Sequence, residues 1–169
     1  MATKRKAPQV AGPRVIADAG PLIALARCGH LGILKRLFGR VLITREVAAE
    51  LQLGTSAPGA AALDKAISDG WLAVLPGLVR VEPHPFLDLG EASCLAAAAG
   101  EALLLMDERL GRREAARLGL RVAGTAGLLC TAKARGHIKA VLPILEKMRA
   151  EGYFLGDAVL ASARRQAGE

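Results

Sequence analysis

Short apolar runs that alternate with longer helical segments limit the fold of this chain more than any other feature of its sequence. Five such runs lie at residues 14–17, 41–43, 72–75, 102–106 and 120–123. Apolar runs of this length between turn residues are typical of buried strands. Strands separated by helices favour a parallel sheet, because the helices supply the right-handed crossovers. We therefore predict an α/β fold: a three-layer α/β/α sandwich around a mostly parallel sheet of about five strands.

The segments between these runs carry helix signals. Helices are predicted at residues 22–27, 31–38, 44–53, 60–68, 90–100, 110–118, 124–135, 138–150 and 157–167, with Thr44 as the N-cap of the third. Residues 76–89 contain three prolines and are predicted to form a loop. Residues 1–13 are predicted to be a flexible basic tail, and residues 14–169 a single domain.

Composition favours a soluble protein with an anionic partner. Hydrophobic residues make up 52% of the chain but aromatic residues only 3%, so the core is expected to consist of Ala, Leu and Val. The formal net charge of +7 favours binding to nucleic acid, although a basic surface also promotes solubility. No apolar stretch approaches the ~20 residues of a membrane span, and no secretory signal is recognised.

The three cysteines, Cys28, Cys94 and Cys130, are widely spaced and form no CxxC pair. Disulfides or a zinc site are therefore not expected. We predict three buried thiols in a reducing, cytoplasmic compartment.

Two aspartates directly follow predicted strands. Asp18 ends the run at residues 14–17, and Asp107 ends the run at residues 102–106. Ligands of open α/β sheets bind beyond the carboxyl ends of the strands, so two such carboxylates share one crevice if their strands lie near the sheet centre. Each aspartate could instead cap the helix that follows it.

Two glutamates are candidates for the same crevice. Glu91 follows Gly90 at a predicted helix start, and Glu50 borders the apolar face of the helix at residues 44–53. Glu91 could instead complement the helix dipole, and Glu50 could be a solvated helix residue. Two carboxylates about 4 Å apart repel by roughly 4 kcal/mol at an effective dielectric constant of about 20, so protons or cations must relieve the repulsion. Such oxygen ligands suit Mg²⁺ or Mn²⁺, which can support phosphodiester hydrolysis.

Several segments match a known family in their order and spacing. They are VIADAGPLIAL (15–25), ITREVAAEL (43–51), LGEASCLAAA (89–98), LLLMDERLGRREAARLGL (103–120) and VAGTAGLL (122–129). On these segments the chain resembles the PIN-domain ribonucleases, especially the VapC-like toxins and their close relatives. The resemblance runs from about Val15 to about Leu155.

The resemblance implies a Mg²⁺- or Mn²⁺-dependent endoribonuclease that acts on RNA. Asp18, Glu50, Glu91 and Asp107 stand at the positions of the family's catalytic acids, and Asp18, Glu91 and Asp107 are the implied metal ligands. The resemblance also implies a frequent homodimer and, for toxin members, an antitoxin protein that inhibits the enzyme.

Two positions depart from the family pattern. Ala19 stands where a Thr or Ser often follows the first aspartate, and Ser93 stands where a second acid often follows Glu91. Thr125, at the start of a later helix, could supply the missing hydroxyl beside the metal ligands.

A cluster of arginines follows Asp107. Arg109, Arg112, Arg113 and Arg117 are predicted to hold RNA phosphates, while a solvated helix face that pairs with Glu114 is the alternative.

Two other functions stay open from the sequence. One is a catalytically silent PIN-like module that binds protein or RNA, which the alanine at position 19 motivates. The other is a receiver-type phosphotransfer domain, which also gathers acids at strand ends. Such a domain usually has a lysine after its last strand, and here Gly124 and Thr125 follow it.

Overall fold

The computed structural model describes residues 14–169, so the predicted basic tail lies outside the described residues. Five strands form one parallel sheet: β1 (Val15–Ala17), β2 (Val41–Ile43), β3 (Leu72–Val74), β4 (Leu103–Leu105) and β5 (Arg121–Ala123). Their order across the sheet is β3-β2-β1-β4-β5. The predicted α/β fold is confirmed, and the sheet is parallel throughout the described part of the chain.

Helices connect and surround these strands. In chain order they are α1 (Ala19–Arg27), α2 (Gly32–Phe38), α3 (Arg45–Glu50), α4 (Ala60–Ser68), α5 (Leu89–Ala97), α6 (Arg109–Arg117), α7 (Thr125–Ala134), α8 (Leu142–Ala150) and α9 (Asp157–Ala167). None of these helices is long and apolar enough to cross a membrane.

Four helix boundaries differ from the sequence prediction by three or more residues. Helix α1 begins at Ala19 rather than residue 22, α5 ends at Ala97 rather than near residue 100, and the other two are the end of α3 and the start of α8. The helix predicted to run to residue 53 ends at Glu50, because Gln52 has a φ of 52° and Gly54 a φ of 71°, neither of which a right-handed helix allows. The helix predicted from residue 138 begins at Leu142, where Pro143 occupies the first turn and needs no hydrogen-bond acceptor for its nitrogen.

The core is aliphatic, as the composition predicted. The largest fully buried side chains include Ile16, Ile43, Leu72, Leu104 and Leu105 of the sheet. All three cysteines are buried in this core, which confirms the predicted burial of their thiols. Burial of a leucine or isoleucine side chain contributes roughly 1.5–3 kcal/mol, so the strands are held by packing as well as by their short hydrogen-bond ladders.

The strand order places one crevice at the sheet centre. From β1 the chain builds outward to β2 and β3, then returns to place β4 on the other side of β1. Such a reversal opens a crevice at the carboxyl ends of the two central strands, β1 and β4. The order also differs from the 2-1-3-4-5 arrangement of receiver-type domains, so the receiver hypothesis is wrong.

Candidate active site

Asp18 and Asp107 both lie at this crevice. Ala17 pairs with Leu105 across the central strands, and the backbone N–H of Asp18 donates to the carbonyl of Leu105 at 2.9 Å. Asp107 comes two residues after the end of β4, and β4 is the neighbour of β1, which Asp18 follows directly. The structure thus brings together the two aspartates that the sequence predicted to converge.

Asp18 is a buried carboxylate without a capping role. Its residue is the N-cap of α1, yet its side chain makes no capping hydrogen bond, and only 8% of the residue is exposed. Burial is the largest cause that raises its pKa from 3.8 to about 7, and the negative charges of Glu91, Glu50 and Asp88 raise it further. The backbone N–H of Ala19 opposes this rise only in part.

Glu91 and Asp88 form a capping box at the start of α5. The backbone N–H of Glu91 donates to Asp88 Oδ1 at 2.7 Å, and the backbone N–H of Asp88 donates to Glu91 Oε2 at 3.0 Å. Glu91 is nevertheless only 8% exposed, and burial is the main cause that raises its pKa. Glu91 therefore takes part in the N-terminal cap of α5 and also contributes a carboxylate to the crevice. Asp88 was missed from the sequence, although an acid three residues before a glutamate is a known capping signature.

Glu50 reaches the crevice from its rim. It is exposed at the end of α3, which packs against α5. Its carboxylate lies against Gly90, so closely that a Cβ at residue 90 would collide with Glu50 Oε1. Partial burial, followed by the charge of Asp88, raises the pKa of Glu50. Glu50 therefore joins the acidic group, which also contains Asp18, Asp88 and Glu91.

Asp107 is held by three donors from two distant segments. The backbone N–H of Thr125 donates to Oδ1 at 2.7 Å, and the Thr125 hydroxyl donates to Oδ2 at 2.5 Å. The Tyr153 hydroxyl also donates to Oδ2, at 2.5 Å. Asp107 does not cap α6, because the side chain of Glu108 accepts the N–H of Leu110 instead.

Tyr153 connects the surroundings of the two aspartates. A Cβ at Gly20 would lie 3.5 Å from the phenol oxygen of Tyr153 and 3.9 Å from Asp18 Oδ2. Burial, then the charge of Asp107 and more weakly that of Asp18, raises the pKa of the phenol, so it stays a neutral donor. No local sequence pattern signals this contact, because residues 107 and 153 are 46 positions apart.

Ser93 connects the two helices that carry the glutamates. Its hydroxyl donates to the carbonyl of Gly90 at 2.7 Å and lies 2.7 Å from the Thr44 hydroxyl. Thr44 in turn accepts the N–H of Val47 and caps α3, as predicted. The residue that replaces the family's second acid is therefore a neutral, fully buried link between α3 and α5.

Among the described residues, the acidic group has no cationic partner within ion-pair distance. Within residues 14–169, no Lys, Arg or His nitrogen lies within 4.0 Å of a carboxylate oxygen of Asp18, Glu50, Asp88, Glu91 or Asp107. As placed, no three acidic, His or Cys side chains of these residues are close enough together to form a metal site. The donors are nonetheless all carboxylate and hydroxyl oxygens, which fit Mg²⁺ or Mn²⁺ rather than a softer metal.

The predicted arginines divide into two groups. Arg109, Arg112 and Arg113 line an open groove that begins at Asp107. Arg117 instead binds Glu114 through two nitrogens, with distances between 2.6 and 3.0 Å. For Arg117 the structure therefore supports the alternative prediction, an ion pair with Glu114 on the exposed face of α6.

These features define a class of protein: a parallel α/β domain with an acidic crevice at the point where the strand order of its sheet reverses. The sequence model of the PIN-domain family (DUF3368) matches residues 14–169. The chain belongs to the PIN-domain family. No curated protein and no solved structure matched the chain. PIN domains are generally nucleases, so this membership indicates a nuclease-type, hydrolytic function.

Proposed function

We propose that this protein is a divalent-metal-dependent endoribonuclease that hydrolyses RNA phosphodiester bonds. The observation that carries the proposal is the buried carboxylate of Asp18, which lies beside three further acids and has no cationic side chain within the described residues to balance it. Burial of several carboxylates without a counter-charge is costly, so the site favours an external cation.

Different residues of the chain have different roles in such a site. Asp18, Glu91 and Asp107 would hold Mg²⁺ or Mn²⁺, and Glu50 would act at the rim of the crevice. A bound divalent ion would activate water and stabilise the charge that develops on the phosphate. Thr125 orients the carboxylate of Asp107 through two hydrogen bonds, and this replaces a hydroxyl that Ala19 lacks.

RNA is the proposed substrate for two reasons. The excess of basic residues gives a net charge of +7, and three arginines stand beside Asp107, where they can neutralise phosphates. The proposed biological role is that of a cytoplasmic toxin, a homodimer held inactive by an antitoxin. That role rests on the resemblance to VapC-like toxins alone.

Cleavage of RNA by the purified protein tests the proposal. We expect Mn²⁺ or Mg²⁺ to be required, and Asp18→Asn or Asp107→Asn to reduce cleavage by several orders of magnitude. The matched control is Glu101→Gln, which removes one exposed carboxylate outside the crevice. Cleavage by the Asp18 variant at the wild-type rate would refute its role as a ligand.

The alternative is a silent PIN-like binding module. Two observations favour it: no three ligands are close together in the described chain, and three donors already occupy Asp107. Titration calorimetry with Mn²⁺ separates the two. Heat that Asp18→Asn abolishes supports the enzyme, whereas no heat with either protein supports the silent module.

A further inference from the structure

An open groove, lined by apolar side chains and arginines, extends from Asp107 to the opposite edge of the sheet. Its volume is about 2140 Å³, above the range of about 300–1,000 Å³ that is typical of small-molecule pockets. It is lined at one end by Asp107 and Gly124 and at the other by Arg14, Arg40 and Arg121. Because the strands are parallel, these two ends lie at the carboxyl and amino edges of the sheet. The groove therefore has the dimensions of a polymer site that starts at the acidic crevice.

The charged residues of the groove are almost all arginines. Seven line it: Arg14, Arg40, Arg109, Arg112, Arg113, Arg121 and Arg135. All seven are exposed, and none forms an ion pair with another side chain of the described residues. The acids of the lining are Asp107 and Glu108, both at the crevice end. The amino-edge end of the groove is therefore positively charged and uncompensated.

Four of these arginines come from separate segments that meet at the amino edge. Arg14 precedes β1, Arg40 precedes β2, and Arg121 begins β5. Arg135 follows α7, a helix that starts at the carboxyl edge after β5 and leads back towards the amino edge. Arginine presents a planar fork of donors that matches phosphate oxygens in pairs. A convergence of this kind favours a ligand with repeated phosphates.

Two aromatic side chains of the groove lining suit the bases of a single strand. Phe38 and Phe154 both line it, and Phe154 is 93% exposed. Aromatic and arginine planes stack on unpaired bases without sequence preference.

We propose that a single RNA strand lies along this groove, from the crevice at Asp107 to the arginines of the amino edge, and that Arg14, Arg40 and Arg121 bind its phosphates. The placement of the cleaved bond at the crevice rests on the proposed function. The claim that the groove binds an RNA strand is separate and can be tested without cleavage. The distance from Arg14 to Asp18 along β1 is on the order of 13 Å, enough for a few nucleotides beyond the cleaved bond.

The test measures binding of a fluorescein-labelled oligouridylate of about 12 nucleotides by anisotropy, without added divalent metal and over a range of salt concentrations. The test variant carries Arg14→Gln, Arg40→Gln and Arg121→Gln together. The control carries Lys35→Gln, Arg164→Gln and Arg165→Gln, which remove the same charge from exposed positions outside the groove lining. Circular dichroism establishes that both variants are folded.

For a single strand, each phosphate contact contributes about 0.7 to the slope of log affinity against log salt concentration, so we expect the slope of the test variant to fall by about 2. We also expect its affinity at low salt to fall at least tenfold, while the control keeps the wild-type slope to within a few tenths. Equal slopes for wild type and test variant would overturn the inference.

A second probe separates RNA from a protein occupant. Polyglutamate that binds wild type but not the test variant, together with unchanged RNA binding, would assign the groove to an acidic protein and overturn the inference. Failure of the proposed function would give another result: the wild-type protein would cleave no RNA with Mn²⁺, irrespective of how RNA affinity depends on salt concentration. Loss of slope in such a protein would still support an RNA strand in the groove.

Discussion

Replacement of Asp18 by asparagine should stabilise the metal-free protein at neutral and alkaline pH. Asp18 is 8% exposed, and its pKa is raised from 3.8 to about 7. This difference corresponds to about 4 kcal/mol in favour of the protonated side chain. The substitution Asp18→Asn keeps the shape of the side chain but removes the charge, so it removes the cost of ionisation.

The sign of the pH dependence follows from proton binding. Between pH 4 and 7 the folded protein holds a proton on Asp18 that the unfolded chain has lost, so the free energy of unfolding of the wild type decreases as the pH rises. The stability advantage of Asp18→Asn should be small below pH 4, about 2 kcal/mol at pH 5 and up to about 4 kcal/mol above pH 7.

Urea denaturation at pH 5 and pH 8, in the presence of a chelator, measures this effect. Glu101→Gln is the control, and a surface substitution of this type should change stability by less than about 0.5 kcal/mol. The reasoning is refuted if Asp18→Asn is no more stable than the wild type at pH 8. That result would mean that the carboxylate is either solvated or already balanced by a positive charge.

Three further predictions use the same denaturation assay, Mn²⁺ calorimetry and the RNA cleavage assay. Asp107→Asn should lower the free energy of unfolding by about 1–3 kcal/mol, because an amide nitrogen cannot accept the hydroxyl protons that Oδ2 accepts. Tyr153→Phe should cost about 1 kcal/mol and weaken Mn²⁺ binding about tenfold; unchanged affinity would exclude an orienting role. Gly90→Ala should slow RNA cleavage because its Cβ displaces Glu50. The control is Gly32→Ala, where a Cβ meets nothing and which lies outside the groove lining, and it should keep activity; equal activities of the two variants would contradict the contact.

Local patterns predicted the secondary structure well because each signal lies within a few residues. The strands were found to within one or two residues, since each is an apolar run between turns. The end of α3 was missed because the apolar spacing continues to Leu53, which still packs partly against the core after the backbone has left the helix. Apolar periodicity indicates which residues are buried, and here buried residues continue beyond the end of the helix.

The candidate site was predictable in part. The convergence of Asp18 and Asp107 required only that their strands be neighbours, which the order β3-β2-β1-β4-β5 confirms. Asp88 could have been found from its capping spacing to Glu91. Tyr153 could not, because its contact depends on how the segment between α8 and α9 packs beside β4. Long-range polar contacts leave no periodic trace in a sequence.

The two aspartates of the crevice differ in what surrounds them, and this difference indicates which one requires a cation. Asp107 receives three hydrogen bonds from Thr125 and Tyr153, so the protein itself balances its oxygens. Among residues 14–169, Asp18 receives a hydrogen bond from the backbone N–H of Ala19 but none from a side chain, and the neighbouring carboxylates add negative charge. Opposite effects on stability, a gain for Asp18→Asn and a loss for Asp107→Asn, follow from this asymmetry. Within the described residues no side chain supplies the balancing charge for Asp18, so a proton supplies it below the pKa of about 7, and the cation that we propose would supply it above that pH.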